Sequence, residues 1–118
     1  RSDSAAEVML RMARQPSPEL RHAAYDALRA LAVQPAGPGG WGLRALFSAD
    51  GMLEHLRDRE DGNDKEGKLW KHALVKAVAA SPERAILGDE ANAALDEVVA
   101  QGPFYRPLAS LDVDTMEA

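Results

Sequence analysis

A stretch of this chain returns 47 residues after it first occurs. Ala27-Leu28-Arg29-Ala30-Leu31-Ala32-Val33-Gln34-Pro35 falls on Leu74-Val75-Lys76-Ala77-Val78-Ala79-Ala80-Ser81-Pro82 after that shift. Through residue 33 every small, apolar and basic position is matched in kind, and the closing proline is identical. Both copies carry their apolar residues at the helical spacing, three and four apart. Nowhere do Val, Ile, Thr, Tyr and Phe alternate with polar residues, so no strand is expected.

Between these copies the chain divides into further helices. A first one spans about residues 3–14, with Ser2 or Ser4 as its cap. Gln15-Pro16 breaks it. Ser17 then caps a second helix over about 18–33, with Pro18 at its first position and Glu19 in its positive first turn. Leu20, Ala23, Ala24, Ala27, Leu28 and Leu31 form its expected inner face. The cluster QPAGPGG at 34–40 is a loop. Short helices follow over 41–47 and, capped by Asp50, through Met52, Leu53 and Leu56 to about Asp58. The sequence DREDGNDKE at 58–66 holds 5 acids and 2 bases and is expected to lie in water. A helix over about 65–80 is expected to turn Trp70, Ala73, Leu74, Ala77 and Val78 inward. Ser81-Pro82-Glu83 repeats the Ser17-Pro18-Glu19 opening. A short helix stops at Gly88, and Asp89 caps the last one, whose inner residues are Ala91, Ala94, Leu95, Val98 and Val99. Gly102 and Pro103 end it.

A period of 40–47 residues with two or three helices per unit is the pattern of armadillo and HEAT repeats. The fold expected is all-α: an armadillo/HEAT-like α-solenoid, the C-terminal end of a repeat array, with about two and a half units over residues 1–107. Residues 108–118 are expected to form an acidic, flexible tail. One unit of such an array cannot bury its apolar face alone. An apolar face is therefore expected to stay open at the N-terminal end, with the segment after Gly102 as the cap. A first residue of Arg1 suits a piece of a longer protein.

Composition narrows the function. There are 14 Lys and Arg against 19 Asp and Glu, a formal charge of −5, which disfavours a general nucleic-acid surface. No run approaches the roughly 20 apolar residues of a membrane span. The absence of cysteine removes disulfides, thiol nucleophiles and thiolate-bound zinc, and suits a reducing compartment. The three histidines, His22, His55 and His72, lack the spacing of a helical metal site. GPGGWG at 37–42 is not a phosphate-binding loop, no Gly-x-Ser-x-Gly elbow occurs, and the 58–66 loop lacks calcium-loop spacing. No enzyme, cofactor, metal or small-molecule substrate is expected. The aligned helices do share a second stripe: Arg21, Tyr25 and Arg29 in the first copy, and Lys68, His72 and Lys76 in the second. Stacked units would set these stripes side by side, a candidate surface for an acidic or mixed partner segment.

Three further stretches bring a resemblance. Lys71-His72-Ala73-Leu74-Val75-Lys76-Ala77-Val78-Ala79-Ala80-Ser81, Ile86-Leu87-Gly88 and Gln101-Gly102-Pro103-Phe104-Tyr105-Arg106-Pro107 resemble the C-terminal end of the 26S proteasome non-ATPase regulatory subunit 5 family. Tyr25 to Pro35, Leu46-Phe47 and Gly51-Met52-Leu53-Glu54 are similar to the repeat before it. The Gly-Pro-aromatic-Tyr segment is the most specific element. Gly39-Gly40 and the acidic tail from Leu111 depart from the family pattern. The resemblance implies a helical-repeat assembly chaperone of the cytoplasm, with the nucleus open as well. Its partner would be a base ATPase subunit, held by the small C-terminal domain until the mature particle forms. It implies no catalytic residue. The alternative is a generic armadillo-type adaptor for another protein or an extended peptide.

Overall fold

The computed structural model describes residues 4–33 and 41–106. The 34–40 loop and the 108–118 tail, with residue 107, lie outside the described residues. Among the described residues six α-helices run in order: α1 (Ala5–Ala13), α2 (Pro18–Ala32), α3 (Trp41–Leu46), α4 (Met52–Arg57), α5 (Lys65–Ala79) and α6 (Asp89–Gln101). A 3-10 turn, Arg84–Leu87, precedes α6. Among the described residues there is no strand, and no helix is long and apolar enough to cross a membrane.

The helix starts follow from local chemistry. At α1 the Glu7 amide donates to Ser4 Oγ at 3.1 Å, and the Ser4 amide donates to Glu7 Oε1 at 3.3 Å, a reciprocal capping box. Ser17 caps α2 as expected, its Oγ accepting from the Leu20 amide at 3.4 Å. Asp64 caps α5 by accepting from the Gly67 amide at 2.7 Å. Two expected caps differ. Gly51, not Asp50, precedes α4, because the chain turns there at φ +84°, a left-handed geometry that glycine adopts without strain. Gly88 at φ +91° precedes α6, and Asp89 is the first helical residue instead. Ser81 does not open a helix as Ser17 does; its Oγ accepts from the Glu83 amide at 3.2 Å and makes a turn. Arg84 then ties that turn down, donating to Ala79 O at 2.8 Å, Asn92 Oδ1 at 2.8 Å and Asp96 Oδ1 at 2.9 Å.

The 47-residue offset reaches beyond the matched sequence. α2 and α5 are each 15 residues long, and both their first residues and their caps, Ser17 and Asp64, stand 47 apart. α1 and α4 also begin 47 apart, as do Ser4 and Gly51 before them. α3 and α6 begin 48 apart. α2 lies against α1, α3 and α5; α5 lies against α2 and α6. The α1–α3 contact of the first half has its counterpart in the α4–α6 contact of the second. Tyr25, Leu28, Leu43, Leu46, Met52, Leu56, Leu74, Val75, Val78 and Leu95 fill one continuous core. Leu31 packs against it, half-buried.

The buried faces are rotated from those expected. α2 buries Ala24, Tyr25, Leu28 and Ala32, while Leu20 stays 42% exposed. α5 buries Gly67, Lys71, Leu74, Val75 and Val78. Trp70, expected inside, is 36% exposed, and Trp41 is exposed too. The reason lies in the 58–66 loop. It is not simply solvated: it turns Asn63 and the carboxylate of Asp61 inward, and α2 and α5 turn their polar residues to meet it. At α6 the expected face holds, with Ala94, Leu95 and Val98 buried. α1 leaves Val8 exposed beside its buried Ala6, Leu10 and Ala13.

Candidate functional site

The most organised polar chemistry of the described residues lies where the 58–66 loop crosses α2 and α5. Tyr25 sits on α2 with no exposed surface. Its Oη accepts from Asn63 Nδ2 at 2.9 Å and lies 2.7 Å from His55 Nε2 of α4. Asn63 supplies the proton of the first bond, so the phenol's own proton goes to His55 Nε2, which therefore carries none. The two rings stack with centroids 5.9 Å apart and planes 19° apart. Asn63 Oδ1 in turn accepts from Arg21 Nη1 at 3.1 Å, which also donates to Asp61 O at 2.9 Å. Arg21 Nε donates to Gln15 O. Lys71, buried on α5, forms an ion pair with Asp61 and donates to Asp58 O at 2.6 Å.

Burial sets the protonation states here. It pushes the Tyr25 phenol up to about 12. It pushes the His55 imidazole down to about 4, helped by the nearby Lys71 charge. Burial alone would raise Asp61, but the Lys71 hydrogen bond and charge outweigh it and hold the carboxyl below its usual range. Lys71 is lowered by burial, partly offset by Asp61. A phenol and an imidazole so displaced, each with its reactive atom spent on the other, hold helices together rather than move protons near neutrality.

The six residues singled out from sequence are placed as follows. Tyr25 is no surface residue, and the Arg21 guanidinium is turned onto the backbone of Gln15 and Asp61 and onto Asn63. Of the first stripe, α2 therefore turns Arg21 and Tyr25 toward the loop. Arg29 and Lys76 are exposed, and Lys68 and His72 are half-buried. Lys68 and His72 line a small pocket with Arg59 and Tyr105. His55, Asp61, Asn63 and Arg59 went unrecognised; the signal for them was a charged loop ending two residues before Lys68 and five before Lys71. A second histidine, His22, reaches Asp64 Oδ1 at 3.1 Å and stacks on Trp70 at 6.5 Å, adding an exposed tie between α2 and α5. Among the described residues no three His, Asp or Glu side chains converge to hold a metal ion.

Helices joined through a buried polar seam, with no strand among the described residues, define an all-helical fold over those residues. Over residues 2–116 the chain matches the family model described as proteasome non-ATPase 26S subunit, and it belongs to that family. It is 34% identical over 113 residues to the 26S proteasome non-ATPase regulatory subunit 5 of Bos taurus, an alignment covering 94% of this chain and 22% of the relative. The Homo sapiens protein of that name is 35% identical over 105 residues, covering 87% and 20%. The Mus musculus protein is 35% identical over 115 residues, covering 96% and 22%. The chain thus spans about a fifth of the length of these relatives. No solved structure matches it.

Proposed function

We propose that this chain is a non-enzymatic protein-binding segment of an armadillo/HEAT-like α-solenoid, working in the cytoplasm as part of a chaperone for assembly of the proteasome base. In this reading two three-helix units stack through α2 and α5, and the solenoid holds the C-terminal domain of a base ATPase subunit. Holding that domain delays its docking onto the proteolytic core. The observation that carries the proposal is the family match over residues 2–116, with relatives named as a regulatory subunit of the 26S proteasome. The 47-residue register of helix starts supports the solenoid arrangement. The saturated hydrogen bonding of Tyr25, His55 and Asn63 supports a structural use of the polar groups over a catalytic one.

The test is capture from cytosol by the tagged chain, with a full-length relative alongside, followed by mass spectrometry. Enrichment of base ATPase subunits by both is expected. Enrichment of unrelated proteins, with no ATPase, would replace the chaperone reading with that of a general adaptor.

A further inference from the structure

The pocket beside the seam holds two polar atoms that the fold leaves unsatisfied. Arg59 Nη2 donates to Val98 O and to Gln101 Oε1, both at 3.2 Å, and the guanidinium lies 5.6 Å over the Tyr105 ring. Its Nε is buried without a hydrogen-bond partner. His72 Nδ1, on α5, is buried and unpartnered as well, and both residues line the pocket. Buried polar atoms are almost always paired, so two unpartnered atoms on residues that line one pocket call for a polar atom beside them, from water or from a ligand. The enclosed volume is about 10 Å³, room for about one oxygen atom, and the pocket opens to solvent beyond it.

The charge around the pocket selects the ligand. Arg59, Lys68 and Lys71 line it against Asp58 and Asp61, and Asp61 is neutralised by Lys71. Lys68 and Lys76 form no ion pair among the described residues. The His72 imidazole is lowered by burial and then by Lys76 and Arg59, which records the positive field at that point. Lys68, His72 and Lys76 follow one another at four-residue steps along α5, about 6 Å each. An extended peptide carries its same-side residues about 6.6 Å apart. A helical row of cations at i, i+4, i+8 thus keeps step with carboxylates at alternate positions of an extended strand.

We infer that this pocket docks an extended acidic segment of a partner protein, with Asp or Glu at alternate positions. The central carboxylate puts one oxygen between Arg59 Nε and His72 Nδ1, while its neighbours pair with Lys68 and Lys76. The inference rests on the protein-binding reading for its kind of occupant, and it assigns that reading a place and a chemistry.

Direct titration tests it. The full chain is titrated at low salt with a fluorescein-labelled peptide of alternating glutamate and serine. Its glutamine counterpart and a peptide with the glutamates in one block serve as controls. The alternating peptide is expected to bind at least about tenfold more tightly than the glutamine peptide. It should move the ring resonances of His72 while leaving those of His55 in place. Arg59→Gln should weaken binding by about tenfold. Lys68→Gln, on a half-exposed side chain whose loss spares the fold, should weaken it about two- to fivefold. Equal binding of the glutamine peptide, unmoved His72 resonances, or no effect of Lys68→Gln overturns the inference and leaves a pocket that holds only water. Equal binding of the block peptide overturns the alternating register. If cytosolic capture of ATPase subunits persists while the peptide fails, the pocket is wrong and the wider function stands; the reverse result sinks the chaperone reading alone.

Discussion

The Tyr25 hydroxyl decides more than any other single group in this molecule, because it joins α2 to α4 and to the loop before α5. Removing it as Tyr25→Phe leaves Asn63 Nδ2 and His55 Nε2 buried and short of a partner. That change is expected to cost about 1–3 kcal/mol in urea unfolding. Gly67→Ala attacks the same place from α5. A β-carbon there meets Asn63 Oδ1 at 2.7 Å and the capping Asp64 Oδ1 at 2.8 Å, and Asn63 is pinned by Arg21 and Tyr25. A loss of about 1–3 kcal/mol in the same assay is expected. His55 makes stability depend on pH. Its imidazole titrates near 6.5 in the unfolded chain and at about 4 in the fold. Between those values the unfolded chain binds the extra proton. The contribution is therefore complete above about pH 6.5 and is lost as pH falls through about 4. The loss amounts to about 3 kcal/mol. His55→Gln, whose amide oxygen accepts the same phenol proton, should flatten the curve between pH 7 and 4. At this scale the sequence was least legible. A spacing of i, i+4, i+8 places Arg21, Tyr25 and Arg29 on one side of a helix, but it does not say what covers that side.

Elements were far more legible. The spacing of Leu and Ala, with Ser17-Pro18-Glu19 in front, places α2 within a residue of its observed end, and the helix expected over about 65–80 is α5, Lys65–Ala79. What the pattern missed was rotation. Counting Trp70 as apolar and Lys71 as polar turns α5 the wrong way. The Lys71 stem is buried because Asp61 and the Asp58 carbonyl receive its ammonium, a pairing between loop and helix that no local period reports. Likewise the acids of 58–66 suggest solvation, yet Asp61 and Asn63 are drawn in by Lys71, Arg21 and Tyr25. Apolar burial adds to the polar ties between α2 and α5. Leu28, wholly buried on α2, should lose about 3 kcal/mol as Leu28→Ala, read by chemical unfolding.

For the whole molecule, principal extents of 55 × 31 × 24 Å make an elongated body. The offset of 47 was visible in nine residues of sequence, and the helix starts extend it to α1 with α4 and nearly to α3 with α6. Short helices such as α4 escape a sequence match because their boundaries are set by Gly51 and by packing rather than by a long apolar stripe. The packing of α2 on α5 and the polar ties of the loop between α4 and α5 are expected to lock the two halves into one cooperative body. Native-state hydrogen exchange at rising denaturant measures this directly. The amides of α2 and α5 should be the slowest to exchange and should open together, with one free energy and one denaturant slope. If α5 and α6 stay protected while α2 opens at a separate, lower free energy, the halves are independent and the locked seam does not join them.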